Sequence, residues 1–375
     1  KKKMNKDDKK IKMKLLRINA LDTLFFRDGK PFTMGDDNVG VSVFPPAPSV
    51  FRGFLRSLFF ANGGDTSRAG ETNDPTNNIS IDFLSLKKCG TDEFLFPVPS
   101  DLIIDKNDKD NKMSYLSYDN NTLPATSYKL PFILKTKDDA VNVKLKETSG
   151  RVYFTLDQLN RYIQGQDTGK GVELKEMISE EVKIGIGRDD DTRTTSDTGM
   201  LYQIVMQRPQ TEKCQGLDFV VGYSGCELPL NQLSGLARIG GEGKLVQIAE
   251  EAPPDIIAPE VNDLVKMYLA TPAIFTEGWK PEKLFADYCI EVAACSLGRY
   301  RSFGGWDVAK RKPKPMFRAV PSGSVYYLKS PDNSKLQSFV KTFHGKKLEH
   351  NVSIPPNAAV DGFGLVYFAI IQSQK

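Results

Sequence analysis

The chain has 375 residues, 40% of them hydrophobic, which is enough to bury a sizeable core and more than one ordinary domain needs, so two domains are expected. Its 51 Lys and Arg side chains nearly balance 47 Asp and Glu, leaving a formal charge of +4, so a face that meets nucleic acid has to be local. Five scattered cysteines without a C-x-x-C pair fit a reducing cytoplasm. Two histidines, His344 and His350, leave little material for a zinc site or a histidine-based catalytic pair, and no metal or cofactor is expected.

The lysine-dense opening, Lys1 to Lys14, leads into no sustained apolar stretch, which excludes a signal peptide or anchor from the reading. It reads as a solvated tail, with Met4 and Met13 both possible starts. Leu15, Leu16, Ile18, Leu21, Leu24 and Phe25 read as a strand running into a turn at Arg27 to Lys30. Pro45, Pro46 and Pro48 then interrupt regular structure, and Ser49 is expected to N-cap a helix that turns Val50, Phe51, Phe54, Leu55 and Leu58 to a core. Arg52 and Arg56, four residues apart, share one face of that helix, either as a solvated stripe or as a phosphate contact.

Residues 62–82 and 105–121 are rich in Gly, Asn, Asp, Ser and Lys and read as loops or insertions. Residues 94–99 and 141–145 read as short strands, and no long helical run separates strands, so the sheet is expected to be mostly antiparallel. The proline-rich stretch 252–259 marks a boundary between domains at 13–251 and 260–375. Beyond it, residues 261–269 are expected as a short helix, followed by strands near 286–295, 323–329 and 363–371. Strand–helix–strand segments ending in glycine-rich turns predict an α+β fold of two ferredoxin-like (RRM-like) units with long inserted loops.

Three segments carry candidate chemistry. In 235–244, Gly240, Gly241 and Gly243 let backbone N–H groups approach a phosphate while Arg238 and Lys244 supply charge; the alternative is a tight hairpin with no ligand. The spacing is wrong for a nucleotide-binding P-loop. Residues 185–202 read as a long hairpin whose polar tip carries Arg188, Arg193 and the acidic run Asp189 to Asp191, the latter lacking the Gly and terminal Glu of a calcium loop. In 299–307, Arg299, Tyr300, Arg301, Phe303, Gly304, Gly305 and Trp306 interleave guanidinium, aromatic and glycine, a mixture able to hold phosphates while stacking on unpaired bases, and Lys310 to Lys314 and Arg318 extend the charge. The alternative has the aromatics in the core and the lysines in solvent.

The run Asp22-Thr23-Leu24-Phe25-Phe26-Arg27-Asp28-Gly29-Lys30-Pro31-Phe32, followed by Phe44-Pro45-Pro46, resembles the third-subunit family of the Cmr (type III-B) CRISPR effector complexes, within the RAMP superfamily. The likeness continues through Gly185-Ile186, Leu201-Tyr202, 236–243, Gly304-Gly305-Trp306-Asp307 and 318–326, in order along nearly the whole chain. The resemblance implies two RAMP units that cap the 5′ handle of the guide RNA (crRNA) and contact the large polymerase-like subunit and the first backbone-forming subunit. It further implies that bond breaking belongs to other subunits, so that this chain is not an enzyme. By the same resemblance Arg238, Lys244, Arg299 and Arg301 would neutralise phosphates, Arg188 and Arg193 would grip the guide from the hairpin, and Arg52 and Arg56 are weaker candidates. A rival reading is a metal-independent endoribonuclease that processes precursor crRNA with His344 or His350 as acid or base, although the flanking run Gly345-Lys346-Lys347 looks solvated. A third is a structural adaptor that makes few RNA contacts of its own.

Overall fold

The computed structural model describes residues 13–27, 39–105, 112–120, 130–136, 145–146, 148, 150–186, 191–195, 201–226, 235–307, 312–348 and 358–372. Residues 1–12 of the Lys-rich opening, the turn from Asp28 to Phe32, residues 141–144 of the expected strand, Arg188, the acidic pair Asp189 and Asp190, Lys310, Arg311 and His350 therefore lie outside the described residues.

Two antiparallel sheets form the frame. The larger has eight strands, in spatial order Val172–Glu173, Val152–Thr155, Phe94–Pro97, Ser80–Lys88, Leu217–Ser224, Lys14–Ala20, Leu245–Glu251 and Leu236–Arg238. Its four central members, in chain order Lys14–Ala20, Ser80–Lys88, Leu217–Ser224 and Leu245–Glu251, lie in the 2-3-1-4 order of a ferredoxin-like unit, with helix α1 (Pro48–Ala61) joining the first two. The smaller sheet runs Glu291–Ser296, Val325–Lys329, Leu264–Leu269, Leu365–Ile370 and Lys346–Lys347. Helix α3 (Glu282–Asp287) follows its first strand in the chain and helix α4 (Asn333–Phe343) its third, a complete βαββαβ unit.

Each sheet is buried on both faces over its central strands, while at one edge of the larger sheet Leu236, Arg238, Leu245 and Gln247 are exposed. Leu16, Ile18, Phe219 and Val221 meet Phe51, Phe54 and Leu55 of α1, while the alternate residues Leu15, Phe83 and Val220 point the other way. That other way leads to the second sheet, because Tyr268, Tyr327, Tyr367 and Leu365 belong to the same core cluster. On the far side of the second sheet Met267, Tyr326, Leu328 and Phe368 pack on Leu284 and Phe285 of α3 and on Leu336, Phe339 and Phe343 of α4. The layers are thus helix, sheet, sheet, helix. Helix α2 (Leu156–Ile163) adds Leu159, Tyr162 and Ile163 to the shared core, and starts with a capping box in which Thr155 and Gln158 satisfy each other's backbone N–H groups.

An ion pair closes the seam between the sheets. The Lys266 ammonium lies 2.8 Å from Asp101, both side chains being at most 2% exposed. Tyr162 and Tyr327 donate their hydroxyls to the two carboxylate oxygens at 2.9 and 3.0 Å, and the ammonium sits 4.4 Å from the centre of the Tyr115 ring. Around it the chain is stitched by Ser100 N–H to Gly323 O (2.7 Å) and by reciprocal hydroxyl-to-carbonyl bonds between Ser100 and Ser296. A second seam joins Lys347 to Asp82 (2.9 Å), Ile81 N–H to Val360 O (2.9 Å) and Arg52 to Asp361 (3.2 Å).

Several sequence expectations are corrected. Residues 264–269 form the central strand of the second sheet and not a helix: Val265, Met267 and Leu269 face one core and Lys266 and Tyr268 the other, and a strand buried on both faces has an apolar run whose periodicity does not distinguish it from a helix. Helix α1 begins at Pro48 with Ala47 as an N-cap that offers no side-chain bond; Pro48, with its φ preset, takes the first turn and leaves Ser49 inside. Residues 112–120 are not all loop, since Met113–Tyr115 pairs with Leu102–Asp105 and Ser117–Asn120 with Phe132–Lys135. In the first insertion, buried Asp74 accepts from the N–H groups of Gly70 and Thr76 (both 2.8 Å) and ties the loop to Arg56. Lys347 is buried while Lys346 is exposed, so the run 345–347 is solvated only in part.

His344 holds the connection between the sheets. Its Nδ1 accepts from Phe368 N–H (3.1 Å), which leaves Nε2 to donate to Ile257 O (2.9 Å) in the proline-rich stretch, where Asn160 also bonds Asp255 O and Ile257 N–H. Burial pushes the imidazole below its ordinary value of 6.5. The unfolded chain therefore binds one proton more as pH falls below 6.5, and stability is present above that value and lost below it, by up to about 1.4 kcal/mol per pH unit until the folded group titrates. Chemical denaturation should show stability falling from pH 7 to pH 5, and His344→Gln should flatten the fall. At the seam, Asp101→Ala should cost about 3–5 kcal/mol in the same assay by stranding Lys266, and combining it with Lys266→Met should recover most of the loss.

Candidate nucleic-acid interface

Because the two sheets cover one another over their central strands, and helices cover the outer faces, most of the sheet face on which RRM-like folds stack bases is closed here, apart from the edge strands Leu236–Arg238 and Leu245–Glu251. Contacts to a polymer are left to segments that project beyond the layers. Three do so, and they coincide with the glycine- and arginine-rich segments of the sequence.

The first is the long hairpin. Ser179–Ile186 and Leu201–Arg208 pair without interruption from Ser179 opposite Arg208 to Ile186 opposite Leu201, and Val39–Val41 runs parallel beside the second strand. One face anchors it through Ile204 and Met206 on Phe25. The other exposes Val182, Ile184, Ile186, Leu201, Val39 and Val41. At the tip, Arg193 is exposed with φ 55°, a left-handed conformation unusual outside Gly, Asn and Asp.

The second is the turn between Leu236–Arg238 and Leu245–Glu251. Ile239 N–H bonds Lys244 O (3.0 Å), and Gly240, Glu242 and Gly243 all have positive φ. Gly240 is obligatory on two counts: its φ is 69°, and a Cβ there would lie 2.6 Å from Phe25 O, the carbonyl that also accepts from Gly241 N–H at 2.8 Å. The turn is therefore a hairpin seated on Phe25 and Phe26, with the Gly241 N–H engaged internally. Arg238 is exposed. Lys244 is only 14% exposed, with its ammonium 2.9 Å from Thr23 Oγ1 and 3.4 Å from Asp22. Asp22 also receives Arg208 (3.0 Å), which bonds Glu181 as well, and Lys183 pairs with Glu242 (3.1 Å). The Thr23 backbone N–H, together with Lys244 and Arg208, holds the Asp22 carboxyl below the usual carboxylate range. These pairs fasten the base of the long hairpin to the glycine turn.

The third is a basic arm, in which Arg301–Phe303 pairs with Phe317–Ala319 and Trp306–Asp307 with Lys312–Pro313 further out. Arg299, Tyr300, Arg301 and Arg318 are exposed, and the Arg318 guanidinium lies 4.8 Å from the centre of the Tyr300 ring. The Arg301 guanidinium rests against Gly150, on the turn before Val152–Thr155. Gly304 leaves room for the Met316 thioether, and Gly305 O accepts from Lys314 N–H (2.8 Å), so both glycines keep the arm narrow. Phe303 packs edge-on against Phe363, 5.4 Å between centres, and faces the core. The Trp306 side chain lies outside the described residues.

Arg52 and Arg56 do not form a free stripe. Arg52 donates to Ile79 O, Asn77 O and Asp361, and Arg56 to buried Asp74 at 2.6 Å. Helical spacing put both on one face correctly, but only the loop folded over that face reveals their partners. Sequence reasoning also passes over Phe275 and Trp279, which stand beside the arm; the available signal is an aromatic pair around Gly278 between Pro272 and Pro281. Among the described residues no cluster of three His, Cys, Asp or Glu is arranged to hold a metal ion, and no helix is long and apolar enough to cross a membrane.

The double ferredoxin-like frame with its hairpins defines the class of protein as a two-unit α+β protein of mostly antiparallel sheets, as the resemblance in the sequence implies. The sequence pattern of the family described as "CRISPR-associated protein (Cas_Cmr3)" matches residues 16–368, and the chain belongs to that family. Among solved structures, a chain of the type III-B Cmr-beta complex bound to cognate target RNA and AMPPnP is 17% identical, with a TM-score of 0.51 over 90% of each chain. A chain of the same complex bound to cognate target RNA alone is 17% identical, with a TM-score of 0.50 over 88% of this chain and 89% of that one. No curated protein sequence matches significantly.

If Arg56 serves the fold, Arg56→Ala should destabilise the protein by about 1–3 kcal/mol, because Asp74 stays buried with a partner missing. Arg299→Ala and Arg238→Ala, at exposed positions, should shift stability by no more than about 0.5 kcal/mol. Denaturant midpoints of the three variants check this.

Proposed function

We propose that this chain is the guide-RNA-holding subunit of a type III-B CRISPR effector complex in cytoplasmic antiviral defence. It caps the 5′ handle of the crRNA, bridges the large polymerase-like subunit to the backbone-forming subunits, and breaks no bonds itself. The observation that carries the proposal is the basic arm: in a member of this family, Arg299, Arg301 and Arg318 stand exposed on one narrow projection beside an exposed aromatic.

On this reading the residues divide by what their charges are already doing. Arg299, Arg301 and Arg318 on the arm, Arg238 beside the glycine turn and Arg193 on the hairpin meet phosphates, with Arg188 and Trp306 as further members of the same segments. Gly240, Gly241, Gly243, Gly304 and Gly305 set the shape of the turns that carry those charges. Lys244, Arg52 and Arg56 position the supports through internal bonds. The two units are residues 13–251 and 260–375. The exposed apolar face of the long hairpin belongs to the bridging role, because such a face is covered in a stable assembly. A non-catalytic role is supported by His344, both of whose ring nitrogens are engaged in holding the connection between the sheets.

The test is to crosslink the subunit, alone and within its complex, to guide RNA that carries photoreactive nucleotides in the 5′ handle, and then to map the peptides. Crosslinks should fall in 185–202, 235–245 or 299–306. Crosslinks elsewhere in the complex with none in those segments would leave a protein-only adaptor.

A further inference from the structure

Between the base of the basic arm and the loop after the first strand of the second sheet lies an open cleft of about 770 Å³, within the range of about 300–1,000 Å³ typical of small-ligand sites. Phe275, Trp279, Tyr300, Met316, Phe317 and Arg318 line it. Its floor is rigid: Trp279 stacks on Tyr326, ring centres 6.1 Å apart and 6° from parallel, and the Tyr326 hydroxyl donates to Trp279 O. Its rim is not packed into the fold, since Tyr300 is 60% exposed, Met316 47% and Phe317 41%. The Arg318 guanidinium lies over the Tyr300 ring, so a charge that can meet a phosphate and a flat face that can meet a base are joined at one edge.

We infer that this cleft takes one unpaired nucleobase of the bound RNA, stacked on Tyr300 and Phe317, while Arg318 and its neighbours on the arm hold the flanking phosphates. The inference rests on the RNA-holding role proposed above and adds a base subsite to it. Charge decides the occupant. Among the described side chains between residues 299 and 318, Arg299, Arg301, Lys314 and Arg318 are cationic and exposed and none is acidic, a field that suits a polyanion and not an apolar protein side chain. An aromatic cleft under such a field matches what single-stranded nucleic acid offers, a π-face on a charged backbone. Of the aromatics in the arm's sequence, Phe303 is excluded because it packs on Phe363, whereas Tyr300 and Phe317 remain open.

The test measures affinity of the full chain for an eight-nucleotide oligouridylate and for an abasic sugar-phosphate oligomer of the same length. Wild type should prefer the oligouridylate by about 5- to 150-fold, the factor that stacking one base is worth. Tyr300→Ala should remove most of that preference with less than about a twofold change for the abasic oligomer, Phe317→Ala should reduce it independently, and Tyr300→Phe should keep it. Equal binding of both oligomers by wild type, or an equal loss on both in Tyr300→Ala, overturns the base subsite while the RNA-holding role stands. Binding of neither oligomer overturns both. Both side chains replaced are exposed, so the fold is retained in these variants.

Discussion

The buried contact between Lys266 and Asp101 is the constraint around which the molecule is arranged. An ammonium and a carboxylate withdrawn from water are costly unless each finds a close partner and further hydrogen bonds, and here Tyr162 and Tyr327 complete the carboxylate while the Tyr115 ring lies beside the ammonium. Asp101, Tyr115 and Tyr162 come from the first half of the chain, Lys266 and Tyr327 from the second. An apolar seam of tyrosines and leucines would tolerate sliding of one sheet on the other; a charge pair with directional donors has one satisfied arrangement.

That fixed seam has a consequence for binding. Sheets that bury most of their faces on each other and on helices give up most of the surface on which small RNA-binding folds stack bases, and the work passes to hairpins and turns at the periphery. These projections are not loose. Asp22 gathers Lys244 and Arg208 at the foot of the long hairpin, Gly240 and Gly241 seat the glycine turn on Phe25, and Arg301 rests on Gly150 at the foot of the arm. Rigid supports with outward-facing guanidinium groups reduce the entropy lost on binding a flexible polymer.

The arginines and lysines sort accordingly. Cationic side chains that sequence composition treats alike fall into two groups: Arg52, Arg56, Lys244, Lys266 and Lys347 are half-buried or buried and paired with carboxylates of the fold, whereas Arg193, Arg238, Arg299, Arg301 and Arg318 stand exposed on projecting segments. The near balance of charge over the whole chain conceals this division.

Local pattern determined a good deal. Turn chemistry between apolar edges specified the long hairpin, helical spacing specified the body of α1 though not its first residue, and the glycine positions specified the turn after Arg238, because each depends on residues close in the chain. Ordered motifs along the chain also carried the family. What the sequence could not determine depends on partners far away in it. Residues 264–269 are a strand because sheet neighbours and two cores enclose them, Lys266 is buried because Asp101 waits 165 positions earlier, and Arg52 is engaged because Asp361 arrives from the far end of the chain. Burial and pairing of a charge are properties of the assembled layers, and no local window contains the groups that decide them.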